Sequence, residues 1–266
     1  MKKTALVTGS TDGIGKQTAL ELAKRNFHVI VHGRKEAKCV RTRDEIIYNV
    51  NDAEIDYVTG DFTSFRSVRV MAEELKMKYD RIDVLVNNAG VFMNERVMTE
   101  DGFETTFQVN HLSPFLLTNL LMPFIEQSDD GRIVNVSSIA HKWAKVDFDN
   151  LNGEKEYDGQ NAYSISKLAN ILFTYKLHRM LNGKPAVNAL HPGVIGTKLL
   201  YAGWGMGGDS LENGAKTSVY LASFDEVKGV SGKYFVNMKE EKSSPISYDE
   251  SLQDEFWQYS VDSVNI

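Results

Sequence analysis

The stretch Leu6-Val7-Thr8-Gly9-Ser10-Thr11-Asp12-Gly13-Ile14-Gly15 decides the fold. An apolar run beginning at Thr4 leads into it, and a helical pattern over 14–26 leads out. Three glycines between a strand and a helix mark a tight turn where something must approach the backbone closely. The spacing is Gly-x-x-x-Gly-x-Gly, and its position between strand and helix is what gives it weight.

The same alternation continues outward. Thr4–Thr8, Val29–Val31, Ile55–Val58, Val84–Asn87, Ile133–Val136, Val187–Leu190 and Gly232–Val236 are short and rich in Val or Ile, as buried parallel strands are. Helical patterns cover 14–26, 34–49, 64–79, 103–127, 161–182 and 210–223. Strand-helix alternation predicts an α/β fold, a Rossmann-like doubly wound parallel sheet of about seven strands with helices on both faces. No Pro/Ser-rich linker or repeat interrupts residues 1–266, so a single domain is expected.

Composition narrows the function. A net charge of −6 disfavours a protein that tracks nucleic-acid phosphates. Cys39 is the only cysteine, which excludes an internal disulfide and a multi-cysteine metal site. His28 and His32 lie on a predicted strand, where a four-residue spacing does not bring them together, and no metal is expected. The apolar run after Lys3 is shorter than the about 7–15 residues of a signal peptide core. No stretch reaches the roughly 18 apolar residues of a membrane span, so the expected location is cytoplasmic.

A dinucleotide fits the glycine turn because its pyrophosphate must meet bare backbone. Gly9 permits the tight turn, Gly13 the close approach, and Gly15 the packing of helix on sheet. The positive end of the helix then faces phosphate. After the second strand the chain reads Val31-His32-Gly33-Arg34-Lys35, with no acid before Glu36. Arg34 can fork onto a 2′-phosphate and Lys35 adds positive potential, so NADP is expected, with NAD the alternative. Asp12 counts mildly against a phosphate, or else braces the turn.

Hydride transfer to a carbonyl needs a proton donor and groups that polarise the oxygen. Among 11 tyrosines only Tyr163 has a lysine four residues on, Lys167, which places both on one helix face. A nearby ammonium is expected to lower the phenol's pKa. Ser138 ends the run Ile133-Val134-Asn135-Val136-Ser137-Ser138, where a strand's carboxyl end opens on the crevice. Pro114 has no N–H for the carbonyl of Asn110, which is left free to hold a water at a kink.

These motifs resemble the short-chain dehydrogenase/reductase family. Thr8 to Gly15 matches its glycine loop, Asn87-Asn88-Ala89-Gly90 its turn after the fourth strand, and Tyr163-x-x-x-Lys167 its acid-base pair. The resemblance runs from Thr4 to about Val236. It implies cofactor contacts from Gly9, Ser10, Thr11, Asp12, Gly13, Ile14, Gly15, Arg34 and Lys35. Asp61 and Phe62, then Asn88, Ala89 and Gly90, are expected on the adenosine side. Tyr163 and Lys167 are expected at the nicotinamide ribose, and Pro192, Gly193, Ile195 and Thr197 at the nicotinamide. It also implies that Ser138, rather than Ser137, faces the substrate, and that Asn110 completes a relay with Tyr163 and Lys167.

Within that family, Asn110-His111-Leu112, Asn161-Ala162-Tyr163 and the insertion between His141 and Gln160 resemble the retinol-dehydrogenase-like branch and its bacterial homologues. The sequence shows no N-terminal membrane anchor, so retinol itself is not the expected natural substrate. A small carbonyl or alcohol, apolar in character, is expected. The segment 196–212, with Trp204 and Met206 among glycines, reads either as a substrate lid or as a surface loop with one buried aromatic. His141 flanks the site, with substrate contact, support of a site residue and solvent exposure all open. The tail over 239–266 packs either on the fold or on a partner, and the family implies a homodimer or homotetramer through helices beside the fourth and fifth strands. Two other functions compete: a dinucleotide-binding regulator without turnover, and an epimerase or dehydratase. Tyr163 and Lys167 argue against the first, and the glycine spacing against the second.

Overall fold

Buried strands and amphipathic helices alternate through the computed structural model, which describes residues 2–266. The order is β1 (Thr4–Val7), α1 (Gly13–Lys24), β2 (His28–Gly33), α2 (Glu36–Asn49), β3 (Glu54–Thr59), α3 (Phe65–Lys78) and β4 (Val84–Asn87). Then follow α4 (Thr105–Phe107), α5 (Ser113–Ile125), β5 (Arg132–Val136), α6 (Gly159–Leu181) and β6 (Ala186–His191). The chain ends with α7 (Lys198–Trp204), α8 (Leu211–Ser223), β7 (Lys233–Val236), β8 (Lys239–Glu240) and α9 (Glu250–Val264). Asp12, Ser64, Asp158 and Asp249 cap α1, α3, α6 and α9 with side-chain oxygens, satisfying N–H groups the helices leave open.

The sheet order is β3-β2-β1-β4-β5-β6-β7-β8, parallel except for the last pair. The expected seven strands are therefore eight. Asn237 and Met238, both at positive φ, turn the chain into a hairpin whose second strand is too short to leave a sequence period. Strand order reverses between β1 and β4, so the loops after them open a crevice at the carboxyl edge. Ala5, Leu6, Val7, Val84, Leu85 and Val86 have no exposed surface there. Burial on both faces explains why these runs are continuously apolar.

The helix expected over 103–127 is interrupted. Residues Gln108–Leu112 form a π turn in which Ser113 N–H reaches the carbonyl of Gln108, five residues back. Pro114 supplies the reason, since it cannot donate to Asn110 and the ladder must widen there. The tail packs on the fold: Trp257 of α9 meets Phe115 at 5.0 Å and Phe173 at 5.9 Å. Phe256 meets Phe148 at 4.9 Å. Part of the α6 surface that the resemblance offers to a partner is thus covered by the chain itself. Among the described residues no helix is long and apolar enough to cross a membrane.

Candidate active site

The glycine loop is shaped by space more than by flexibility alone. Gly9 has φ +63°, and a Cβ there would stand 2.8 Å from the backbone of Ala89. At Gly13, φ is +56° and a Cβ would meet only a methyl of Thr197, at 3.8 Å, which leaves room for a ligand. Gly15 packs the start of α1 against the turn that follows β4. A Cβ there would lie 2.3 Å from Asn88 Nδ2 and 2.5 Å from the carbonyl of Gly9. Asn88 needs that space because its amide donates to the carbonyl of Thr8 (2.8 Å), tying the β4 turn to the loop.

Two residues that the sequence reading passed over hold this loop. Thr8 Oγ1 accepts the N–H groups of Asn88 (2.9 Å) and Ala89 (3.0 Å). His32 Nδ1 accepts Gly9 N–H at 3.0 Å, while its Nε2 lies 3.1 Å from the carbonyl of Gly60 and donates to it. Burial holds His32 near pKa 4, so it stays neutral and keeps this donor-acceptor pattern. Its main-chain N–H donates to Ser10 Oγ (2.9 Å), which consumes the Ser10 hydroxyl inside the loop. His28 instead meets Asp56, so the two histidines do not converge.

Asp12 accepts Gly13 N–H (2.9 Å) and pairs with Lys198 of α7, which offsets its charge and holds its pKa below the usual carboxylate range. Arg34 and Lys35 are exposed just past β2, and among the described residues neither has an ion-pair partner. Glu36 is occupied by the hydroxyl of Tyr57 (2.8 Å). Asp61 Oδ1 accepts from Thr63 N–H (3.0 Å) and Oγ1 (2.8 Å), forming a turn past β3. Phe62 is buried with its ring stacked on His32, so only its backbone is placed to meet a ligand. Cys39 is buried, and burial raises its thiol to about 11, the setting of an inert thiol.

Ser138, Tyr163, Lys167 and Asn110 gather where β4, β5 and α6 meet. Tyr163 and Lys167 are buried one turn apart on α6, with Lys167 Nζ 5.5 Å from the center of the phenol ring. Lys167 donates to the carbonyl of Val136 (3.1 Å), and a Cβ on Gly90 would sit 3.5 Å from its Nζ. Ser138 Oγ accepts Ala140 N–H at 3.2 Å, which leaves its hydrogen available to donate. Ser137 faces inward as expected and donates to the carbonyl of Lys167 (2.7 Å).

The electrostatics depart from the simple picture of a lysine lowering a tyrosine. Burial pushes Tyr163 up to about 12, and Ser138 is the group that pulls it down. Burial also lowers Lys167 to about 8. Burial disfavors the charged form of each, and it is burial that sets both shifts.

Asn110 is fixed at every polar atom. Its Oδ1 accepts Val91 N–H (2.7 Å), and its Nδ2 donates to the carbonyl of Val91 (3.0 Å) and to Ser166 Oγ (3.1 Å). The carbonyl freed by Pro114 accepts Asn170 Nδ2 at 3.0 Å, which uses one of its two acceptor sites and leaves the other for a water. Asn170 went unrecognised, although Tyr163, Lys167 and Asn170 follow the i, i+4, i+7 pattern of one helix face. His111 lies between Asn170 (3.2 Å) and Ser260 of α9 (2.9 Å).

The other face of Tyr163 is apolar. Phe92 stands 5.8 Å and Trp204 5.6 Å from it, ring center to ring center, and the two meet each other at 5.3 Å. Gly203 lets Trp204 approach, since a Cβ there would lie 3.2 Å from the Phe92 ring. Gly193 turns the chain after Pro192 at φ +99°, Ile195 pairs with Asp209 to close the base of the segment, and Thr197 caps α7. The segment is therefore a short helix folded over Tyr163. Trp143 and Tyr201 remain exposed at its rim. His141, by contrast, is fully buried.

Comparison with known proteins gives a consistent result. A family model described as short chain dehydrogenase matches residues 3–202. Human retinol dehydrogenase 14 is 41% identical over 286 residues, covering 97% of this chain and 85% of that protein. Human polyprenol dehydrogenase is 36% identical, covering 99% and 86%. Among solved structures, an uncharacterized protein from Mycobacterium Paratuberculosis superposes with a TM-score of 0.83 at 31% identity, over 99% of this chain and 93% of that one. A short chain dehydrogenase from Escherichia coli CFT073 complexed with NADPH gives a TM-score of 0.74 over 89% and 97%; at 23% identity the likeness concerns the fold alone.

Proposed function

The chain belongs to the short-chain dehydrogenase family, an oxidoreductase acting on CH–OH or C=O groups, and from that premise we propose that it is an NADP-dependent enzyme in which Tyr163 exchanges the proton. The observation that carries this reading is the meeting of Tyr163, Lys167 and Ser138 beneath Trp204. The glycine loop suits a nicotinamide dinucleotide: Gly13 leaves space beside the start of α1, and Gly9 brings the backbone forward. Arg34 and Lys35, unpaired past β2, favor NADP by their charge. When bound, the dinucleotide supplies the site that gives or takes hydride.

The protein's own residues handle the proton and the oxygen. Tyr163, near pKa 12, keeps its proton at neutral pH and donates it to the oxygen of a carbonyl being reduced. Ser138 donates a hydrogen bond to the same oxygen as charge develops on it. Lys167 places a positive charge over the phenol ring and favors its anionic form once the proton has left. Asn110, braced by Val91 and Asn170, holds the backbone beside Lys167. In alcohol oxidation the same steps run backward.

Phe92, Trp204 and Tyr201 at the opening suit an apolar substrate, and relatives of this chain are named for retinol and for polyprenol. The test is nicotinamide absorbance with a panel of aldehydes, ketones, quinones and alcohols, each with NADPH and NADH. Tyr163→Phe is expected to lower kcat by about 10²–10⁴-fold. Wild-type turnover in that variant, or a tenfold preference for NADH, would overturn the respective half of the reading.

A further inference from the structure

Ser138 is held in place by a residue whose other side is anchored on the C-terminal tail. His141 Nδ1 donates to the carbonyl of Ser138 at 2.6 Å, and its Nε2 accepts the N–H of Ser244 at 2.9 Å. Both ring nitrogens are used, and the two bonds require one neutral tautomer, with the proton on Nδ1. The ring is buried, edge-on to Tyr234 at 5.1 Å, and its bond to Ser244 is closed to solvent. Ser244 is itself fixed. Its carbonyl accepts Ser247 N–H (2.9 Å) and Oγ (2.6 Å), and Gln253 of α9 donates to the carbonyl of Ser247 (2.8 Å).

From this geometry we propose that His141 is a positioning residue for Ser138, and that the tail enters the active site through Ser244. The inference rests on the reading of Ser138 as the donor to substrate oxygen. The Ser138 carbonyl also accepts the His141 main-chain N–H at 3.2 Å, and Ile139 N–H donates to His191 at 3.2 Å. The turn that aims the Ser138 hydroxyl is thus clamped from both sides. Removing the imidazole leaves that turn with its backbone bonds but without the lateral one. Such a change acts on kcat, where donor placement matters, and touches neither the glycine loop nor Arg34, on which the adenosine and phosphate end of the dinucleotide is expected to rest.

Isosteres separate the two bonds. In His141→Asn the amide nitrogen falls where Nδ1 was and retains the donor to Ser138. In His141→Gln the amide falls where Nε2 was and retains only the link to Ser244. Ser244→Pro deletes the N–H while keeping the φ of −57° that residue already has. We expect His141→Gln to lower kcat about tenfold with KM for NADPH within about twofold of wild type. His141→Asn is expected to recover most of that loss, and Ser244→Pro to fall between them.

Ser138→Ala combined with His141→Gln should be no slower than Ser138→Ala alone, because His141 acts through Ser138. Wild-type kcat in His141→Gln would overturn the proposal, as would equal losses in the Asn and Gln variants that follow their melting temperatures. Multiplying losses in the double variant would overturn it too. If Ser138→Ala alone has wild-type turnover, the donor reading itself falls and takes the proposal with it.

Discussion

The glycine loop after β1 and the turn after β5 both shape the crevice, but they are specified in opposite ways. In the loop the requirement is for something missing: Gly9 and Gly15 have no space for a Cβ, and the residue type records this at the position itself. In the turn after β5 the requirement is for partners. Ser138 depends on His141, and His141 on Ser244, which is 103 residues farther along the chain. Asn110 depends in the same way on Asn170, 60 residues on. A position that needs empty space announces it locally, whereas one that needs a partner has half of its explanation elsewhere.

Between these two regions the larger expected effect comes from violating the empty space. Gly15→Ala forces a methyl against Asn88 and the Gly9 carbonyl, so stability should fall by about 1–3 kcal/mol. KM for NADPH should rise about tenfold or more, read by thermal melting and initial rates. A variant with normal melting and KM would break the contrast at its first term. On the partner side, Asn170→Ala leaves the Asn110 carbonyl and His111 short of a partner at a buried site. A stability loss of about 1–3 kcal/mol is expected, with kcat falling more than KM rises. The reverse split would mean that Asn170 serves only folding.

Arg34→Ala sharpens the comparison from a third direction, because Arg34 has no partner in the protein among the described residues and should matter only to ligand. KM for NADPH should rise about tenfold, as for one lost charge-assisted hydrogen bond, with NADH kinetics and melting unchanged. Equal effects on both dinucleotides would argue that Arg34 is not read by the 2′-phosphate. The smallest effect is in pH. Lys167 is lowered to about 8, so its charge is complete below that value and lost as pH rises through it. Tyr163, raised to about 12, keeps its proton throughout. Reductive kcat should therefore stay level to about pH 7, halve near pH 8 and fall beyond; a flat profile to about pH 10 would remove Lys167's charge from the mechanism.

The sequence was most legible where periodicity and spacing carry the information. All seven expected strands are present: the central ones are apolar on both faces, and the edge strand β3 keeps Ile55 and Val58 buried. The eighth escaped because two residues make no pattern. The interruption at Pro114 was legible as a kink, but its form as a π turn was not. Trp204 reads in the sequence as lid or buried aromatic; it is on a short helix and packed on Phe92 and Tyr163, a choice made by contacts across the chain.

By itself, then, the sequence determined the α/β alternation, the glycine loop, the Tyr163–Lys167 face of one helix and the charge at Arg34. Each is fixed by neighbors within a few residues or by a residue's own size. Only the tertiary structure decided that His32 braces the loop, that Asn170 bonds the carbonyl freed by Pro114, that burial shifts Tyr163 up and Lys167 down, and that the tail reaches Ser138 through His141. Those depend on burial and on pairs far apart in the chain, and a linear pattern holds neither until the sheet brings them together.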